Sequence, residues 1–245
     1  MFFGILALTV VGGVLAAFSN PDSASDTMLT AGVFLLVIGG WAASLTLHEF
    51  GHAIFAYRGG DYSVAAKGYL TMDVRHYADP VLSLVLPLVF LAIGGIPLPG
   101  GAVWINRGAL RSRAAASAVS LAGPLNNLII GVLLSLAVGY IPMALGLAIG
   151  LSYLALLQIL TFVLNILPVP GLDGFGVIEP YLSPDARELA AKVRPWAPLA
   201  LFALLFAVDA VRSAFWDASS FLFRLIGGDA NAALIGQYVF MFWRH

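Results

Sequence analysis

Long apolar runs alternate with short polar ones along this chain of 245 residues. Runs at residues 2–18, 28–57, 114–139, 144–167 and 196–211 are apolar all round rather than on one stripe, so they predict buried or membrane-embedded helices. Arg58-Gly59-Gly60 stops the second run, Tyr140-Ile141-Pro142 makes a turn, and the fourth run dissolves into NILPVPGLDG, residues 165–174. Between the second and third runs, residues 61–80 are mixed and polar. There, SVAA and YLTMDV flanking Lys67-Gly68 predict a small β-hairpin. The apolar segment 81–99 is short and is interrupted by Pro87 and by Gly94-Gly95. The aromatic-rich, mixed tail 212–245 reads as an interfacial segment. The pattern therefore predicts an all-α polytopic membrane protein of about five to six membrane segments. It forms one integral membrane domain over residues 1–245, with a core at 28–180, a peripheral helix at 1–18, and a C-terminal helix and interfacial tail at 195–245.

Composition sharpens this picture. Hydrophobic residues make up 60% of the chain, charged residues only 10%, and the mean hydropathy is +0.94. Soluble domains carry about 25% charged residues, so this balance belongs in a bilayer. A net charge of -1 excludes a basic nucleic-acid surface. There is no cysteine, so disulfides and thiolate metal sites are excluded, and any metal must be held by histidine and carboxylate. The first run lacks the Lys or Arg of a signal-peptide n-region, and is read as a retained helix.

Basic residues give the orientation. Arg58, Lys67 and Arg75 lie in one loop, Arg107, Arg111 and Arg113 in the next, and Arg187, Lys192 and Arg194 follow the fourth long run. Residues 19–27 hold two aspartates and no Lys or Arg. The positive-inside rule then puts 19–27 outside and the three basic loops in the cytoplasm. With both its flanks cytoplasmic, segment 81–99 does not cross once. A re-entrant hairpin satisfies that parity, whereas a plain spanning helix breaks the charge rule.

Against this background, HEFGH inside the second run stands out. His48 and His52 are four residues apart, hence on one helix face. That spacing lets two imidazoles bind one zinc ion while Glu49 reaches a water on the metal. Zinc lowers the pKa of such a water toward ~7, with the glutamate as general base. An ionised residue at the centre of a membrane helix costs at least ~2.5–3.5 kcal/mol, so three ionisable groups within one and a half turns need a compensating partner. A snorkelling histidine pair near the interface, with Glu49 paired to Arg58, is the plainer alternative. The second motif weighs against it. In NILPVPGLDG, Pro168 and Pro170 remove two backbone donors and break the helix, which lets Asp173 project inward as a third ligand on the same side as the histidines.

With HEFGH at the end of one helix and NILPVPGLDG after another, the sequence resembles the site-2 proteases, zinc metalloproteases that cut within membranes. LAGPLNNL, residues 121–128, looks like that family's Ala-Gly-Pro segment ahead of an asparagine. The likeness covers about residues 28–180. It implies one Zn2+ held by His48, His52 and Asp173, Glu49 as the general base, and a site sunk below the cytoplasmic surface of a prokaryotic cell membrane. It also implies single-span membrane proteins as substrates, cut in regulated intramembrane proteolysis or in clearance of signal-peptide remnants. The loop GGIPLPGGAVWINRGAL, residues 94–110, departs from related loops in lacking an early Trp and Lys.

Two asparagines, Asn127 and Asn165, are candidates for a donor to the substrate backbone or the developing oxyanion. Interhelical hydrogen bonding is the other use of such residues, and either Asn126 or Asn127 is the inward one. The edge of the expected hairpin, residues 69–74, is a place for an unwound substrate to add as a strand. His76 is read as interfacial rather than as a further ligand. A transporter or channel would also use broken helices and buried ionisable groups, and an inactive scaffold would bind clients. Glu49 beside two histidines discriminates against the first, and the complete set of four residues against the second.

Overall fold

Helix α2 (Thr27–Gly59), 33 residues long, is the axis on which the helices of the central core pack. The computed structural model describes residues 1–20, 27–73, 76 and 103–244. α1 (Phe2–Phe18) lies along α2 at very short range. A Cβ at Gly12 would overlap the Leu36 backbone, and one at Gly39 would come within 2.9 Å of the Thr9 amide nitrogen. Small residues let two apolar helices approach this closely where the hydrophobic effect does not drive association. α4 (Arg113–Tyr140) and α5 (Leu145–Asn165) complete a four-helix core around α2, with Tyr153, Leu157, Ile159 and Leu160 of α5 fully buried.

Helix signals explain the boundaries. The Ser112 hydroxyl caps α4 by accepting from the Ala115 amide. Pro124 is accommodated inside α4, which continues through it. After α5, the prolines do what their chemistry dictates: the chain turns over residues 166–172, Gly171 takes φ +102°, and the short helix α6 (Asp173–Ile178) begins on the aspartate itself. α7 (Pro184–Val193) and α8 (Ala197–Ala207) meet at a bend of 62°.

Two expectations change. The hairpin at residues 61–80 is not formed over the described part: Ser63–Ala66 is a helical turn, α3, Gly68 takes φ +76°, and Tyr69–Thr71 is a 3-10 turn. Asp61 accounts for this, because its carboxylate accepts from both the backbone N–H and the hydroxyl of Ser63 and starts the helical turn. Val64 and Tyr69 then reach the same small core from successive turns rather than from alternating strand positions. Among the described residues there is no strand, so the substrate-accepting edge at 69–74 goes with it. Second, three described helices, α2, α4 and α5, are long and apolar enough to cross a membrane, or four with the bent α7–α8 pair taken as one span, short of five to six. The 17 residues of α1 extend only about 26 Å, less than the ~30 Å hydrocarbon core. The candidate re-entrant segment 81–99 lies outside the described residues.

The tail folds into two helices. α9 (Asp209–Leu225) is amphipathic, burying Phe215, Ser219 and Phe223 at four-residue spacing. α10 (Ala230–Phe240) returns into the core: Gly236 sits where a Cβ would lie 2.5 Å from the Ile149 carbonyl oxygen, and Phe240 stacks on Phe34 with ring centroids 5.5 Å apart.

Candidate metal centre

The four-residue spacing on α2 brings the His48 and His52 Nε2 atoms to 3.1 Å from each other. Asp173, at the first turn of α6, comes up beneath them, with Oδ2 3.2 Å from His48 Nε2 and 3.4 Å from His52 Nε2. One potential ligand atom from each of these three residues lies within 4.8 Å of the others, and both histidines are buried.

The far side of each ring is also engaged. His48 Nδ1 donates to Asn127 Oδ1 at 2.5 Å, and His52 Nδ1 donates to the Val119 carbonyl oxygen at 2.7 Å. A proton on Nδ1 leaves the Nε2 lone pair free, which is the tautomer a metal-binding histidine needs. With both rings in that form, Asp173 Oδ2 faces two nitrogen lone pairs across a gap of 3.2–3.4 Å, an arrangement that calls for a cation between them. Two imidazole nitrogens and one carboxylate oxygen are a set suited to zinc that leaves a fourth, catalytic position open.

α4 is shaped to admit this cluster. Gly123 faces the two rings: a Cβ there would lie 2.5 Å from His48 Nε2 and closer still to His52 Nε2. The approach is reciprocal. A Cβ at Gly51 of α2 would meet Asn126 Nδ2 at 2.5 Å, and that amide donates to the Leu47 carbonyl oxygen at 2.6 Å. Asn127 is thus the inward one of the pair and Asn126 the one that ties α4 to α2.

Glu49 is 3% exposed, and its Oε2 accepts from the Val103 backbone N–H at 3.2 Å. The segment 103–106 is anchored by Asp61, whose Oδ2 accepts from the Asn106 N–H at 2.7 Å. Burial pushes the Asp61 carboxyl up, but hydrogen bonds from Ser63 and Asn106 prevail and its pKa sits below the ordinary value. Asn165, the last residue of α5, is 1% exposed and its Nδ2 has no hydrogen-bond partner among the described residues. It lines a cavity of about 510 Å³ together with His48, Glu49, His52 and Asp173. At the mouth of that cavity Arg107 and Arg194 both donate to the Glu179 carboxylate, closing the 3-10 turn Arg107–Ala109 onto the C-terminal end of α7. His76 is exposed, lies against Gly68 and stands outside the metal cluster.

Reading the sequence alone misses Gly123, Val103, Val119, Ser44 and Gln158. Gly123 sits inside the quoted LAGPLNNL, and Gln158 is an amide two helical turns before Asn165 in an otherwise apolar stretch. Both were detectable as anomalies, though not their partners.

Comparison with known proteins gives close relatives over nearly the full length. A protein of Mycobacterium tuberculosis named "Putative zinc metalloprotease Rip2" is 42% identical over 245 residues, 99% of this chain and 93% of that protein. The Mycolicibacterium smegmatis protein of the same name is 39% identical over 248 residues, with the same two coverages. The Bacillus subtilis protein YwhC, named with the same activity, is 29% identical over 188 residues, covering 71% of this chain and 80% of its own. No family model matches the chain. No solved structure matches it.

Proposed function

Because this chain belongs to the family of zinc metalloproteases that includes Rip2, we propose that it is an intramembrane zinc metalloendopeptidase of the site-2 type. Its substrates are single-span membrane proteins, hydrolysed in or near their transmembrane segments. The convergence of His48, His52 and Asp173 carries the reading, because two of these three ligands stand on one of the long apolar helices.

Zinc bound by these residues supplies a Lewis acid that acidifies a water and polarises the scissile carbonyl. The chain's own groups do the rest. Glu49 takes a proton from the attacking water and later gives it to the departing amine. The Val103 N–H holds one of its oxygens and so fixes the direction of the other. Asn127 Oδ1 and the Val119 carbonyl hold the two rings in the metal-binding tautomer. Asn165 Nδ2, buried and without a partner among the described residues, supports a role as donor to the substrate carbonyl oxygen, where negative charge grows. Asn127 is less suited to that role, since it sits behind His48, across the ring from the ligand nitrogen. Asn165→Ala is expected to retain zinc and to lower kcat by about 10²–10³-fold. Metal content and single-turnover cleavage of the same preparation measure this.

The basic loops support a site that opens toward the cytoplasmic side of a prokaryotic cell membrane. His48 lies eleven residues before the end of α2, about 16 Å along its axis, consistent with a bond cut below the membrane surface. In reconstituted vesicles, the wild type is expected to cleave members of a panel of labelled single-span proteins, to lose this on chelation, and to regain it with zinc. Zinc flux across the vesicle wall without cleavage would favour a transporter.

A further inference from the structure

The hydrogen bonds behind His48 run on through the bilayer-embedded core and have a direction. Asn127 Nδ2 donates to Gln158 Oε1 at 2.8 Å, Gln158 Nε2 donates to Ser44 Oγ at 3.0 Å, and the Ser44 hydroxyl donates to the Trp41 carbonyl oxygen at 2.8 Å. The three side chains Ser44, Asn127 and Gln158 are at most 3% exposed. The last contact fixes the polarity of all the others, because a backbone carbonyl has no proton to give. Ser44 must donate to Trp41, so its oxygen is left to accept from the Gln158 NH2. The Gln158 carbonyl is then turned to the Asn127 NH2, and the Asn127 carbonyl is turned to His48. A primary amide is nearly symmetric in shape, and nothing in its packing alone distinguishes O from NH2. Reversed, Asn127 would present a donor to His48 Nδ1, draw the ring proton to Nε2, and block the ligand lone pair.

We propose that Gln158 and Ser44 are positioning residues that set the tautomer of His48, and with it zinc affinity, by locking the orientation of the Asn127 amide against the Trp41 carbonyl. This rests on the zinc reading above. It goes beyond it in assigning a metal-tuning role to residues that do not touch the ligands. Partners that orient a metal-bound histidine change affinity by about 10–100-fold when removed.

The test is zinc affinity by chelator competition, with the visible spectrum of the Co2+-substituted protein as a second readout. Gln158→Met keeps length and apolar packing but removes both hydrogen bonds. It is expected to weaken zinc about tenfold or more and to alter the Co2+ spectrum. Gln158→Glu, protonated in this buried site, retains an acceptor for Asn127 and a hydroxyl for Ser44. It is expected to restore affinity and spectrum close to wild type, which a packing role would not require. Ser44→Ala cuts the farthest link with the least disturbance and is expected to weaken zinc severalfold. Folded Gln158→Met with wild-type affinity and spectrum overturns the proposal. Should that variant not fold, Ser44→Ala with wild-type affinity and spectrum does so instead. Wild type that binds no zinc removes the underlying reading, and this inference with it.

Discussion

Replacing Glu49 by Gln is expected to leave one zinc per chain in place and to lower peptide cleavage by about 10²–10⁴-fold, the share that a positioned general base contributes. The substitution preserves shape, and a Gln side-chain oxygen still accepts from the Val103 N–H, so the segment that begins at Val103 is not released. What is lost is the capacity to hold a proton. The proposed ligand set, His48, His52 and Asp173, does not include Glu49, so metal content should not change. The check is zinc per chain and cleavage rate on the same preparation. Loss of zinc in the variant would make Glu49 a ligand; undiminished cleavage would remove it as the base.

Gly123→Ala is the second large effect, and it acts on metal rather than on the base. The added methyl would sit within 2.5 Å of the His48 ligand nitrogen and nearer still to that of His52, so one or both rings must turn. α4 has little room to retreat, since Gly51 and the Asn126–Leu47 hydrogen bond hold it against α2 on the adjacent turn. Displacing a catalytic group by about 1 Å costs roughly 10²-fold in rate, so cleavage should fall at least that far. Zinc should be weakened by about 10–100-fold, as when an orienting partner is removed. The helix itself gains up to ~1 kcal/mol from Gly→Ala, which partly offsets an overpacking cost of ~1–3 kcal/mol. The variant therefore folds, and the metal deficit is separable from stability. Zinc retained through buffer exchange, compared between variant and wild type, measures the effect. Wild-type retention would show that α4 does yield.

The difference between what was legible in sequence and what was not follows from range. HEFGH and NILPVPGLDG were readable because their consequences are local: helical pitch aligns residues four apart, and proline cannot donate. Helix limits followed the same logic, with 114–139 expected against Arg113–Tyr140 observed. Gly123, Val119 and Gln158 owe their roles to the faces that α4 and α5 turn toward α2, and one-dimensional periodicity in helices apolar all round leaves that rotation undetermined. The expected hairpin failed for a different reason. Val64 and Tyr69 looked like strand positions, yet Asp61 commits the chain to a helical turn through side-chain bonds that propensity does not register. The packing of the tail was not legible because its mixed composition hides that Ala233, Gly236 and Phe240 share one face of α10.

The most direct test of the central claim is X-ray absorption at the zinc edge of freshly purified wild type, alongside metal content. One zinc per chain is predicted, with ligands only of nitrogen and oxygen at about 2.0–2.2 Å and outer-shell scattering from two imidazoles. The imidazole contribution should be lost in His48→Ala/His52→Ala. No zinc, or zinc whose spectrum lacks the two imidazoles, would contradict the account.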